Sequence, residues 1–243
     1  ELGYSLLNLG MAKLGYDIHA VNLVCASIFV FGVLSFCRQE RLAWLAVAVS
    51  VPYLLIVVAM GYTKQAASLG FLLWGLVRLQ KSDIRSFVVL VLLATTFHAS
   101  ALVCLVFAAL SARKKGLRFA LIGFVLVATA LGLFLAQRFD ALYSRFVVAN
   151  ELQSAGAAVR LAMNVFAFCV LLYFRKRWRR HYGPIELWAW MGALSVIGLA
   201  LTPFASTAVD RVGLYFSALQ IVVWARLPTL VAGVLPRTQI VVG

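Results

Sequence analysis

The sequence predicts an all-α bundle of membrane helices, and three observations carry that reading. Hydrophobic residues make up 64% of the chain and charged residues only 12%, with a mean hydropathy of +0.98. A polar coat cannot be drawn from that composition, so the bilayer has to be the solvent. The Lys and Arg residues fall in short clusters, RQER, RLQKSDIR, SARKKGLR and RKRWRRHY, between long apolar runs. This is the pattern that orients multi-pass proteins. Finally, no fixed-period repeat, low-complexity segment or soluble domain interrupts the series. The net charge of +14 lies in loops rather than on one continuous surface. It therefore points to membrane orientation and anionic lipid contact, with no nucleic-acid partner.

Residues 1–16 place Tyr4, Leu7, Met11 and Leu14 at helical spacing and read as an interfacial helix. Apolar stretches follow near 20–36, 42–60, 66–80, 86–110, 119–136, 160–174, 187–203 and 212–233. Together they form about eight membrane segments of a single domain over 1–243, given that roughly 20 residues cross a bilayer as a helix. The shortest stretches imply tilted or partly buried helices.

The stretch 86–110 decides the topology. If it crossed once, SARKKGLR and RKRWRRHY would lie outside and the Arg-poor TPFAS loop inside, against the positive-inside bias. A re-entrant hairpin broken near Thr96 to Ser100 puts every basic cluster on one face. Of the 22 Lys and Arg residues, Lys13, Lys64, Arg138, Arg145, Arg160 and Arg211 then fall toward the outer face. Backbone broken at membrane depth is tolerated only inside protein or along a cavity. His98 is accordingly expected at the tip of a cavity-lining element. The longest outer loop, about 137–159, contains Asp140, Glu151 and the SAGAA run and is the natural substrate-contacting loop or lid.

Chemistry is sought among these outer-face exceptions. His98, in TTFHASAL, is an ionisable group in an otherwise uncharged run, a functional candidate by default and a possible general base. Its bland alternative is a buried His bonded to a neighbouring helix; Ser100 beside it either supports the break or bonds substrate. Lys64 and Gln65 start a short helix, where a cation opposes the helix dipole. An anionic ligand relieves that conflict, as does simple snorkelling to water. Arg160 and Arg211 each open a helix, and guanidinium groups clamp phosphate oxygens bidentately. Tyr215 lies one turn beyond Arg211 on the same face, and Asp210 either joins the site or pairs with Arg211 to seat the helix. Arg138 and Arg145 lie in a loop of mixed charge and read as solvated. Cys25, Cys37, Cys104 and Cys169 have no metal-ligand spacing and read as packing residues. GxSxG, HExxH, Walker and paired-acid signatures are missing from the sequence, and the eight acidic residues do not cluster as a metal site, so neither metal nor cofactor is expected.

The order ELGYSLLN, GYTKQAAS, LATTFHASAL, SAGAAVR and VDRVGLYFSALQ closely resembles the Wzy/EpsG-type polysaccharide polymerases over nearly the whole chain. The resemblance implies a GT-C-like, inverting, metal-independent glycosyltransferase at the outer face of the bacterial inner membrane. It would join oligosaccharide repeat units carried on undecaprenyl pyrophosphate, for O-antigen, capsule or exopolysaccharide, with both donor and acceptor held in the membrane. Family members show Arg-Gln where this chain has Lys64 and Gln65, so the bidentate fork is lost there while charge is kept. They also carry an Asp- and Tyr-rich stretch ahead of the segment that begins here, so the natural N-terminus is expected to extend further. The implied partners are the lipid-linked donor and acceptor, membrane lipids, a chain-length regulator and a flippase. The chemistry assigns Arg160, Arg211 and Lys64 to the leaving pyrophosphate and His98 to the acceptor hydroxyl, with Glu151 or Asp210 as alternative bases. An O-antigen ligase, a lipid-linked oligosaccharide flippase and a non-catalytic export scaffold are the competing readings.

Overall fold

The structure, a computed structural model, describes residues 1–111 and 156–232. The expected segment 119–136, the loop residues Asp140 and Glu151, and Arg138 and Arg145 lie outside the described residues.

The described chain is helical. An N-terminal helix, α1 (Leu2–Lys13), leads to α2 (Ile18–Cys37), whose start is capped by the Asp17 carboxylate accepting the His19 N–H at 2.9 Å. Next comes α3 (Ala43–Ser50), which continues as a π-helical stretch over Val51–Ala59. Pro52, at its start, has no N–H to donate, and the ladder resumes with the wider spacing. The helices α4 (Thr63–Gln80) and α5 (Ile84–Phe97) follow, then a 3₁₀ segment, Ala99–Cys104, and α6 (Leu105–Ser111). Asp83 caps α5 through the Ser86 N–H, and the Ser86 hydroxyl and N–H together hold this carboxyl below the usual range. Beyond the gap come α7 (Ala157–Tyr173), the basic α8 (Arg175–Tyr182), α9 (Glu186–Gly213), a 3₁₀ segment at Leu214–Ser217 and α10 (Ala218–Val231).

Among the described residues three helices are long and apolar enough to cross a membrane: Ile18–Cys37, Glu186–Pro203 and Ser206–Val231. A fourth is gained if α7 and α8, bent by 79° at their junction, count as one span. Ala43–Ala59, Ile84–Phe97 and Ala99–Ala108 are apolar but shorter. The expected span 66–80 is the central helix α4, in which Ala66 through Gly70 and most residues up to Leu79 are buried.

Its centrality has a local cause. On α2 and α4, Gly32 and Gly70 let two backbones meet: a Cβ on Gly32 would lie 2.1 Å from the Gly70 carbonyl oxygen, and one on Gly70 would lie 2.6 Å from that of Ile28. Small residues permit this approach where hydrophobic exclusion from water is not the driving force. Phe29, Phe36, Leu69, Leu72, Leu73 and Leu76 are then fully buried around the crossing.

The opposite ends of the bundle are chemically distinct. At one end Arg226 donates to both oxygens of Glu40 at 2.6 and 2.7 Å, with its guanidinium 4.8 and 4.5 Å from the Trp178 and Tyr182 ring centres. Arg177 adds a bond to the Leu230 carbonyl at 2.9 Å, which ties α8 to α10. Ser82, just before α5, and Leu110, near the end of α6, line the same cavity beside Arg226. The chain between them thus runs out through α5, breaks, and comes back. All four cysteines are free, with Cys25, Cys37 and Cys104 buried and Cys169 exposed.

Two outcomes follow from this packing. Gly70→Val should destabilise the protein by about 1 to 3 kcal/mol or more through overpacking, read as a lower midpoint of thermal unfolding in detergent. Arg226→Ala should cost about 3 to 5 kcal/mol by leaving Glu40 buried and unpaired, whereas Glu40→Leu combined with Arg226→Met should recover most of that loss. Denaturant titration of the single and double variants checks both.

Candidate functional site

The remote end carries two helix breaks that face each other. The first is at His98, where α5 stops and the backbone turns extended, with φ −150° and ψ 118°, before the 3₁₀ segment. Thr95 and Thr96 hydroxyls bond the Val91 and Leu93 carbonyls, at 2.8 and 2.7 Å, and so occupy groups in the last turn. The second break is at Gly213, where α9 gives way to Leu214–Ser217. Here the loosened carbonyls need partners. Gln65, only 2% exposed, donates to the Arg211 carbonyl at 2.8 Å, and Asn164 donates to that of Gly213 at 3.0 Å. Gln220 in turn donates to the Asn164 side-chain oxygen at 2.6 Å, so the three amides brace the break.

Between the breaks lies a cavity of about 360 Å³ lined by Glu1, Tyr4, Tyr62, Thr63, Lys64, Gln65, His98 and Arg211. His98 is 9% exposed. Its Nδ1 meets the Ser100 hydroxyl at 2.6 Å, and its Nε2 lies 3.2 Å from Nη1 of Arg211. A guanidinium can only donate, so Nε2 is the acceptor and the proton sits on Nδ1, directed at Ser100. The Tyr215 hydroxyl meets that of Ser68 at 2.9 Å. Lys64 pairs with Glu1 at 3.1 Å and lies 4.6 Å from the Tyr4 ring centre.

The expected site residues thus divide. Lys64, Gln65, His98 and Arg211 line one cavity. Ser100 stands behind His98, and Tyr215 is fully buried against Ser68, so both support the site from the protein side. Arg160 does not line the cavity: its Nε and Nη2 grip both Asp210 oxygens at 2.6 Å. Asp210 therefore pairs across helices with Arg160 instead of with its neighbour Arg211. Glu151 lies outside the described residues. The sequence reading missed Glu1, Tyr4, Tyr62 and Thr63 in the lining, and Asn164 and Gln220 behind it. Asn164 and Gln220 are amides in apolar helices, a signal available in the sequence. No group of three His, Cys, Asp or Glu side chains converges among the described residues.

A helical bundle with apolar helices and a cationic cavity at its broken end is the class that the geometry defines. The chain belongs to the EpsG family, which matches it over residues 1–241. Membership and the apolar helices together make it a membrane protein associated with polysaccharide polymerisation in the general sense. No curated protein and no solved structure matches the chain.

The brace behind the cavity is testable. Asn164→Leu strands the Gly213 carbonyl and the Gln220 amide and should cost about 1 to 3 kcal/mol. Chemical denaturation of this variant beside Gln220→Leu measures it, the double variant losing less than the sum because the two amides share one network.

Proposed function

We propose that the protein is a membrane glycosyltransferase that polymerises lipid-linked oligosaccharide repeat units. The observation that carries this reading is the cavity in which two cations, Lys64 and Arg211, stand beside two proton acceptors, Glu1 and His98. Transfer of a glycan from a pyrophosphate carrier needs that pairing. The leaving group gains negative charge as the glycosidic bond forms, and the attacking hydroxyl has to lose a proton.

In this reading the donor is a growing glycan on undecaprenyl pyrophosphate and the acceptor is the next lipid-linked unit, attacking with inversion. Fixed cations aimed at the departing pyrophosphate lower the barrier most when they are positioned in advance. Arg211 meets that condition: its carbonyl is held by Gln65 and its guanidinium touches the His98 ring. Lys64 supplies the second charge from the first turn of α4, where the backbone amides also favour an anion. Arg160 pairs with Asp210, the neighbour of Arg211, and through that pair helps to place Arg211. With 86–110 read as a re-entrant hairpin in a GT-C-like bundle of about eight membrane segments, the cavity opens to the periplasmic side of the inner membrane and the basic α8 lies at the cytoplasmic face.

Purified protein supplied with lipid-linked repeat units, extracted from cells lacking the gene, should give a ladder of repeat multiples on a gel. Arg211→Ala should lower the rate by about 10² to 10³-fold, and Arg211→Lys should recover only part because it keeps the charge and loses the fork. Transfer to a lipid A core acceptor without a ladder would identify a ligase. Movement of intact units across vesicles without bond formation would identify a flippase.

A further inference from the structure

The base that the polymerase reading requires remains to be chosen between His98 and Glu1. His98 is poorly set up for it. Both ring nitrogens are engaged by protein groups: Nδ1 by Ser100 at 2.6 Å and the Nε2 lone pair by Arg211 at 3.2 Å. Taking a proton on Nε2 would place an imidazolium against a guanidinium at hydrogen-bond distance, a like-charge contact in a poorly solvated site. It would also disturb Arg211 at the moment when the departing pyrophosphate needs it.

Glu1 has the opposite disposition. It lines the same cavity, and it precedes α1 without using its side chain to cap that helix. Its carboxylate reaches across to Lys64, Oε2 to Nζ 3.1 Å, and is about one-third exposed. A phosphate arriving at Lys64 competes for the ammonium that Glu1 holds, and so frees the carboxylate for another partner.

From this arrangement, and resting on the polymerase reading, we propose that Glu1 is the catalytic base and that His98 is a positioning residue whose Nε2 holds the Arg211 guanidinium. The acceptor hydroxyl gives its proton to the Glu1 carboxylate as its oxygen bonds the anomeric carbon. The bond from that carbon to the pyrophosphate oxygen breaks, and its electron pair leaves with the phosphate. Charge is conserved within the cavity: Glu1 becomes neutral, Lys64 loses its ion-pair partner, and the pyrophosphate takes the ammonium together with Arg211. Proton uptake by Glu1 thus removes the competing carboxylate and leaves the Lys64 ammonium wholly to the leaving group.

The test compares Glu1→Gln, Glu1→Asp and His98→Gln in the full chain, with initial rates measured on the extracted lipid-linked units. Gln at position 98 keeps an acceptor for Arg211 and removes the ring as a base. Glu1→Gln should lower kcat by about 10²-fold or more with donor KM little changed, and Glu1→Asp should recover part of it. His98→Gln should retain at least about tenfold more turnover than Glu1→Gln, since positioning through Arg211 is kept. Turnover of Glu1→Gln near wild type, a loss that falls on donor KM instead of kcat, or His98→Gln as slow as Glu1→Gln would each overturn the proposal. Wild-type protein that yields no ladder at all would instead overturn the polymerase reading on which it rests.

Discussion

Backbone carbonyls loosened at a buried helix break are the constraint on which the cavity end of this bundle depends. A helix broken inside a low-dielectric interior releases groups that water cannot reach, and each has to find a partner in the protein. At Gly213 the partners are Gln65 from α4 and Asn164 from α7, so the break is held by side chains from two other helices. The cost of breaking the helix is thereby turned into position. Arg211 sits on the last turn before the break, and the bond that satisfies its carbonyl also fixes where its side chain starts. The Gly32 and Gly70 crossing brings α4 into the centre, from which Gln65, Ser68 and Lys64 all reach the site.

Electrostatic partition follows from the same geometry. Lys64, Arg160 and Arg211 stand with Glu1 and Asp210 at this end. Asp210 gives both oxygens to Arg160, at side-chain exposures of 12% and 18%, which ties α7 to α9 with a charge-assisted fork. Glu1 meets Lys64 with a single contact at a more open position. The first pair is bidentate and largely buried, and the second is single and more open. Arg211 is held by a neutral ring, so its full charge remains for an anion.

Much of this was legible in the sequence where the signal is local. Charge clusters between apolar runs gave the membrane class, and the Thr96 to Ser100 window contains the break at His98. Lys64, Gln65, His98 and Arg211 stood out as polar or charged groups near apolar runs, and the fold brings all four to one cavity. Partner choice was not legible. Whether Asp210 pairs with Arg211 or Arg160 depends on how α7 lies against α9, information that spacing along one helix does not contain. Gln65 looked like a ligand group because its role as a carbonyl partner exists only once Arg211 is packed against α4. Glu1 did not stand out among eight acidic residues that form no cluster in the sequence, since only the packing of α1 brings it to Lys64.

The buried Glu40–Arg226 fork, stacked on Trp178 and Tyr182, has a mechanical consequence. A bidentate ion pair buried among rings resists both sliding and rotation, so α8, α10 and the loop after α2 act as a fixed pivot. The opposite end combines a braced helix break and the Arg160–Asp210 fork with one more exposed ion pair, Lys64 and Glu1. Tied at both ends, the helices stay in place while the Lys64–Glu1 pair remains the more open contact.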